Sequence, residues 1–278
     1  MIDRFRFGLN RIICPSLDIE EFFQLANELE LQWVELRNDL PGKEIIDSFS
    51  PQETRYLAQR YNVQICSINA LQKFNDLEEI DRIKEELSFL LSLAREINCK
   101  AIIMCPLNEK NDLRSPEKEY QETVHALREL MPLFKDNNIL GYIEPLGFST
   151  SSLSSALNAM KAIKEVGYEG YKIVHDSFHH SIGPDNLKIL AGENDIQYTG
   201  LMHTSAVTAD IPPEQYRDEH RHMDFSGDRL NTKEQIDFFI QHGYQGIISF
   251  EPFASEVQAL DKEGLKKLVN QSIDYLRY

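Results

Sequence analysis

The sequence predicts a single (β/α)8 barrel, the TIM-barrel architecture. Three observations lead there. Eight short β-prone runs are spread from end to end, amphipathic helical patterns fill the intervals, and helix start and stop signals fall between the runs. The chain has 278 residues, 42% of them hydrophobic, enough for one large α/β domain. A doubly wound open sheet is the alternative reading of the same alternation.

The β-prone runs are FRFGLNRII (5–13), QWVELR (32–37), VQICSINAL (63–71), KAIIMCPL (100–107), ILGYIEP (139–145), YKIVHDSF (171–178), QYTGLMHTS (197–205) and GIISFEPF (246–253). Between the first two, Ile19, Phe22, Phe23, Ala26 and Leu29 keep helical spacing. Between the third and fourth, so do Ile80, Ile83, Leu87, Leu90, Leu91, Ala94 and Ile97. Start signals accompany the helices. Ser50-Pro51-Gln52-Glu53 supplies a cap, a first-turn proline and a capping-box glutamate, and the pairs Asp18/Glu21 and Asn231/Glu234 repeat the box. Gly167 and Gly243 mark helix ends, and each opens a GYxG step into the next strand. The chain shows no linker, low-complexity tract or break in composition, so residues 1–278 read as one domain. The longest irregular stretch, 204–230, lies between the seventh strand and its helix and is a candidate active-site lid.

Charge and composition narrow the function. A net charge of −16 opposes binding to nucleic acid, which depends on Lys and Arg neutralising phosphates. No apolar run is long enough to span a bilayer. The first residues, MIDRFRFGLNRII, carry scattered charge and no small-residue cleavage site, so they do not read as a signal peptide. Cys14, Cys66, Cys99 and Cys105 form no CxxC pair and read as reduced core residues of a cytoplasmic protein. A small-molecule ligand is the expected partner, and self-association is left open.

In a barrel of this type the active site lies at the carboxyl ends of the strands. Strands five to eight end in Glu144, Asp176, His203 and Glu251. Strand parity places Val174 with Asp176, Leu201 with His203, and Ile247 and Ser249 with Glu251, so all these can face inward in the usual register. Converging carboxylates repel one another, and a divalent cation offsets that cost. Three carboxylates and one imidazole suit Mn²⁺, Zn²⁺ or Co²⁺. The plainer alternative is four unrelated caps and ion pairs. Glu144 and Glu251 are each followed by proline, which removes a ladder donor and ends the strand.

These residues resemble the xylose isomerase-like superfamily, whose metal site is Glu, Asp, His and Glu from strands five to eight. WVELR (33–37), SINAL (67–71) with Phe74 and Asn75, HDSFHHSIG (175–183) and DEHR (218–221) carry the likeness along most of the chain and point to its inosose isomerase branch. The metal-site lysine of the larger xylose isomerases has no counterpart here.

The resemblance implies a metal-dependent isomerase or epimerase of a ketose or keto-polyol. One divalent ion would sit on Glu144, Asp176, His203 and Glu251, with Glu144 and Glu251 as the proton-handling pair. It implies substrate contacts from Asn10, Glu35, Arg37, Asn69, His179 and Arg221. Arg37 has a rival role as the ion-pair partner of Glu35. Trp33, Phe74 and Phe178 are candidates for an apolar wall, with core packing the alternative for Trp33. A dehydratase, a hydroxypyruvate isomerase and a non-catalytic sugar-binding barrel remain open on the same residues.

Overall fold

The computed structural model describes residues 1–192 and 196–278. Its eight strands are β1 (Phe7–Asn10), β2 (Trp33–Arg37), β3 (Gln64–Leu71), β4 (Ala101–Met104), β5 (Leu140–Ile143), β6 (Tyr171–Asp176), β7 (Thr199–Thr204) and β8 (Ile247–Phe250). Each pairs in parallel with the next, and β8 pairs with β1, so the sheet closes on itself in chain order. That closure excludes the open sheet. All eight predicted runs contain a strand, trimmed at the ends.

The connections form the outer layer: α1 (Ile19–Glu28), α2 (Pro51–Arg60), α3 (Ile80–Ile97), α4 (Pro116–Asn137), α5 (Ala156–Val166), α6 (Ser177–Ile182), α7 (Leu187–Gly192), α8 (Thr232–Gln241), α9 (Ser255–Gln258) and α10 (Lys262–Arg277). The stripe on α3 is buried as its spacing predicts, from Ile83 and Leu87 through Leu90, Leu91, Ala94 and Ile97. Each large aliphatic side chain so buried contributes roughly 1.5–3 kcal/mol. Both capping boxes at Asp18/Glu21 and Ser50/Glu53 form. The third does not. Asn231 takes a left-handed conformation, φ +56°, and its side chain caps nothing. Asp228 takes over the helix start, its Oδ2 accepting from the Thr232 N–H at 2.8 Å.

Two cores result. The larger fills the space between strands and helices. A smaller one lies inside the barrel, where Ala70, Ile103, Cys105, Val174 and Leu201 pack with Tyr142 and Ile247. Val174, Leu201 and Ile247 are the residues that strand parity places inward, so this plug forms the floor beneath the strand-end polar residues. The four cysteines are all buried and unpaired. Among the described residues no helix is long and apolar enough to cross a membrane.

Both GYxG steps have a steric basis. Gly167 and Gly243 adopt left-handed φ of +71° and +94° at the helix ends. The second glycine of each step makes room for the tyrosine ring: a Cβ on Gly170 would strike Tyr168, and one on Gly246 would lie 2.5 Å from the Tyr244 hydroxyl. Tyr244 cannot easily retreat, because it is buried and its hydroxyl donates to the Ile247 carbonyl at 2.7 Å. Gly246→Ala is therefore expected to lower stability in urea by about 1–3 kcal/mol, and the loss should shrink in a Tyr244→Leu background.

Candidate active site

Glu144 and Glu251 each follow the last residue of a strand. Their main-chain N–H groups still join the ladder, Glu144 to the Met104 carbonyl at 3.0 Å and Glu251 to that of Thr204 at 2.9 Å. Pro145 and Pro252 have no N–H to continue it. Asp176 closes β6 and caps α6: its Oδ1 accepts from the N–H groups of Phe178 at 2.7 Å and His179 at 3.1 Å. Its Oδ2 is left for the barrel mouth. His203 comes from β7, paired in register with Asp176 on one side and Ser249 on the other.

The four predicted ligand residues converge. One potential ligand atom from each of Glu144, Asp176, His203 and Glu251 lies within 4.8 Å of the others, and all four residues are buried. His203 Nδ1 is 2.7 Å from Glu144 Oε1, 3.2 Å from Glu251 Oε2 and 4.0 Å from Asp176 Oδ2. Its other nitrogen, Nε2, donates to Glu35 Oε2 at 3.0 Å. Glu35 is fully buried and accepts from Ser67 Oγ at 2.6 Å.

The Glu35–Arg37 ion pair, the rival role for Arg37, gives way to other partners. Arg37 bonds Asp39 at the rim and reaches Glu251 Oε1 through Nη1 at 2.7 Å. The amides of Asn69 and Asn10 donate to the same oxygen at 3.0 and 3.2 Å. Glu251 Oε2 accepts from Arg221 Nη2 at 2.8 Å, and that nitrogen also meets Asp176 Oδ2 at 2.6 Å. Both oxygens of Glu251 are thus engaged. Glu144 is less encumbered: Oε1 faces His203, and Oε2 has the Cys105 thiol at 3.6 Å.

Electrostatics follow from this packing. Four buried carboxylates, Glu35, Glu144, Asp176 and Glu251, face two buried guanidiniums, Arg37 and Arg221. The excess is negative by two charges. Burial opposes a charged His203, but Glu251, Glu35 and Glu144 outweigh it and hold the imidazole well above its ordinary range. Burial likewise raises Glu251, yet His203 and the two arginines leave it well below the usual carboxylate range. Asp176 goes the other way, raised by burial with Glu251 adding to it, against the pull of Arg221.

His179 lies one turn beyond Asp176. Its Nδ1 accepts from the Gly147 N–H at 3.2 Å, so the neutral ring carries its proton on Nε2. Burial, assisted by Arg221, pushes its pKa down to about 4. Of the three aromatic wall candidates, Phe178 alone touches the mouth, its ring under Arg221 at 5.0 Å. Phe74 belongs to the outer core, and Trp33 stands at the start of β2 with Lys100 over its ring.

The 204–230 segment is pinned at several points rather than loose. Ala206 and His222 exchange main-chain hydrogen bonds at 2.7 and 2.9 Å. Tyr216 is buried with Phe178, Val207 and Leu230. Arg221 anchors the segment to the strand-end carboxylates.

Sequence reasoning assigned no role at the mouth to Cys105 or Phe253. Cys105 stands one residue past β4 and Phe253 two past Glu251, so each marks a strand end. Their apolar character concealed them.

A family model described as the xylose isomerase-like TIM barrel matches residues 23–278. The chain belongs to that family. Among curated relatives, an inosose isomerase from Halalkalibacterium halodurans is 25% identical over 235 residues, 83% of this chain and 81% of that protein. The crystal structure of a xylose isomerase domain containing protein from Salmonella typhimurium LT2 superposes with a TM-score of 0.93 at 36% identity, covering 100% of this chain and 99% of that one. The IOLI protein with a bound zinc atom superposes at 0.88 over 98% of both chains; at 19% identity, that likeness is one of fold.

His179 yields a test of the site's geometry. Its folded pKa lies below the unfolded value near 6.5, so the unfolded chain binds the extra proton first and stability falls as pH drops from 6.5 to about 4. Nitrogen-15 NMR should show the neutral Nε2–H tautomer from pH 8 to 5, and His179→Asn should flatten the stability profile within that acid window.

Proposed function

We propose that the protein is a metal-dependent isomerase of a ketose or keto-polyol, inosose isomerase-like, acting in inositol or carbohydrate catabolism. The single observation that carries the reading is the buried Glu144–Asp176–His203–Glu251 cluster at the mouth. A divalent ion, Mn²⁺, Zn²⁺ or Co²⁺, would be held by those four residues. The donor set suits it, and its two positive charges match the negative excess of the buried carboxylates over Arg37 and Arg221. Glu35, accepting from His203 Nε2, leaves Nδ1 as the ligand atom when the ring is neutral. When bound, the ion acts as a Lewis acid that acidifies the C–H beside a substrate carbonyl.

The chain's own residues handle the proton. Glu144 is the base: its Oε2 meets only a thiol, whereas both oxygens of Glu251 are engaged by arginines and amides. Glu144 takes the proton from the carbon beside the carbonyl, leaving an enediol, and returns it to the neighbouring carbon while a hydroxyl proton passes between the two oxygens. One available base works on one face of the substrate. That favours isomerisation over epimerisation, which needs a donor on each face. In this proposal Glu251 is chiefly an anchor. The neutral Nε2–H of His179 suits a substrate oxygen, and the 209–220 part of the long loop suits a cover over the mouth.

The test is a panel of ketoses and keto-inositols in D₂O with added Mn²⁺, Co²⁺ or Zn²⁺. Deuterium should appear at a carbon next to the carbonyl, with product formed. Water loss without isomerised product would point to a dehydratase instead, and no turnover across the panel would sink the enzyme reading.

Two substitutions probe the roles. Glu144→Gln should cut exchange by about 10²–10⁴-fold. Glu35→Gln should weaken metal retention by about 10–100-fold, measured by titration with a competing chelator.

A further inference from the structure

We infer that Phe253 is the positioning residue that seats two arginines on Glu251, and so fixes that carboxylate opposite His203. The inference rests on reading the mouth as a catalytic site. Arg37 arrives from β2 and Arg221 from the loop after β7, and each donates to a different oxygen of Glu251, at 2.7 and 2.8 Å. Two guanidiniums sharing one carboxylate repel each other, and neither is fixed by Glu251 alone.

A single aromatic ring serves both. The Arg37 Cζ lies 5.2 Å from the centroid of Phe253, and the Arg221 Cζ lies 4.6 Å from it. A cation over an aromatic face is attracted by the ring quadrupole, so the ring offsets part of the repulsion while setting where each guanidinium lies. The main chain adds to the hold, since the N–H groups of Phe253 and Ala254 both donate to the Arg221 carbonyl at 2.8 Å. Pro252 has a restricted φ and joins the ring to Glu251, so carboxylate and ring are displayed as one unit. The Glu-Pro-Phe sequence therefore carries both the anchor and the part that orients its partners.

Phe253→Leu keeps apolar volume and removes the π face; Phe253→Tyr restores the face. The first readout needs no substrate. In the wild type the Nε–H signals of Arg37 and Arg221, assigned with Arg37→Lys and Arg221→Lys, should carry ring-current shifts. In Phe253→Leu the Arg37 shift should vanish and the Arg221 shift should shrink to the part that Phe178 supplies, and both should persist in Phe253→Tyr. If Phe253→Leu leaves both signals unmoved while the protein stays folded by thermal melt, the inference is wrong. Should Phe253→Leu fail to fold, Phe253→Met takes its place.

The second readout is kinetic, on whichever substrate the ketose panel yields. Phe253→Leu should lower kcat by about tenfold with KM nearly unchanged, and Phe253→Tyr should recover most of it. A raised KM with kcat intact would overturn the inference by making Phe253 a substrate wall. If the panel yields no substrate, the proposed activity fails, while the arginine signals still decide the role of Phe253.

Discussion

Four carboxylates buried at one end of a barrel are the constraint around which this structure is arranged. Burying an ionised group away from water is costly unless charge and hydrogen bonds compensate. Glu35, Glu144, Asp176 and Glu251 are each less than 5% exposed, and nearly every polar side chain around them serves their compensation. Arg37, Asn10 and Asn69 converge on one oxygen of Glu251. Arg221 bridges the other oxygen to Asp176, and His203 joins Glu144 to Glu35. The mouth is one network, and its members differ chiefly in how much of their bonding capacity is already taken.

The barrel makes that network possible. Parallel strands all present their carboxyl ends at the same face, and closure of β8 onto β1 sets Glu251 beside Asn10 and Arg37 from the start of the chain. The apolar plug of Val174, Leu201 and Ile247 below keeps water from the floor. From above, the loop after β7 delivers Arg221, and Phe253 orients it. The asymmetry between a crowded Glu251 and a freer Glu144 is what turns an array of ligands into a site with one available base.

Much of this was legible in the chain. Strand parity has a fixed period of two, so the inward positions of Asp176, His203 and Glu251 followed from their own runs. The proline after each glutamate marked the strand ends. The capping boxes at Asp18 and Ser50 formed because they are local, each within one helical turn. The box expected at Asn231 failed because its left-handed backbone turned the side chain away, leaving the first turn to Asp228.

By itself the sequence determined the fold class, the eight strands, the inward parity and the identity of the four converging residues, because each depends on short-range periodicity or on what stands at a strand end. Only the tertiary structure decided the partners. Glu35 and Arg37 are neighbours on one face of β2 and invite a local pair, yet closure of the barrel brings His203 to the first and Glu251 to the second. Arg221 lies in a long loop whose path no local pattern encodes, and its target became visible only once that loop was folded back over the mouth. Charges pair with what the fold brings within a few ångströms, and sequence distance carries little of that information.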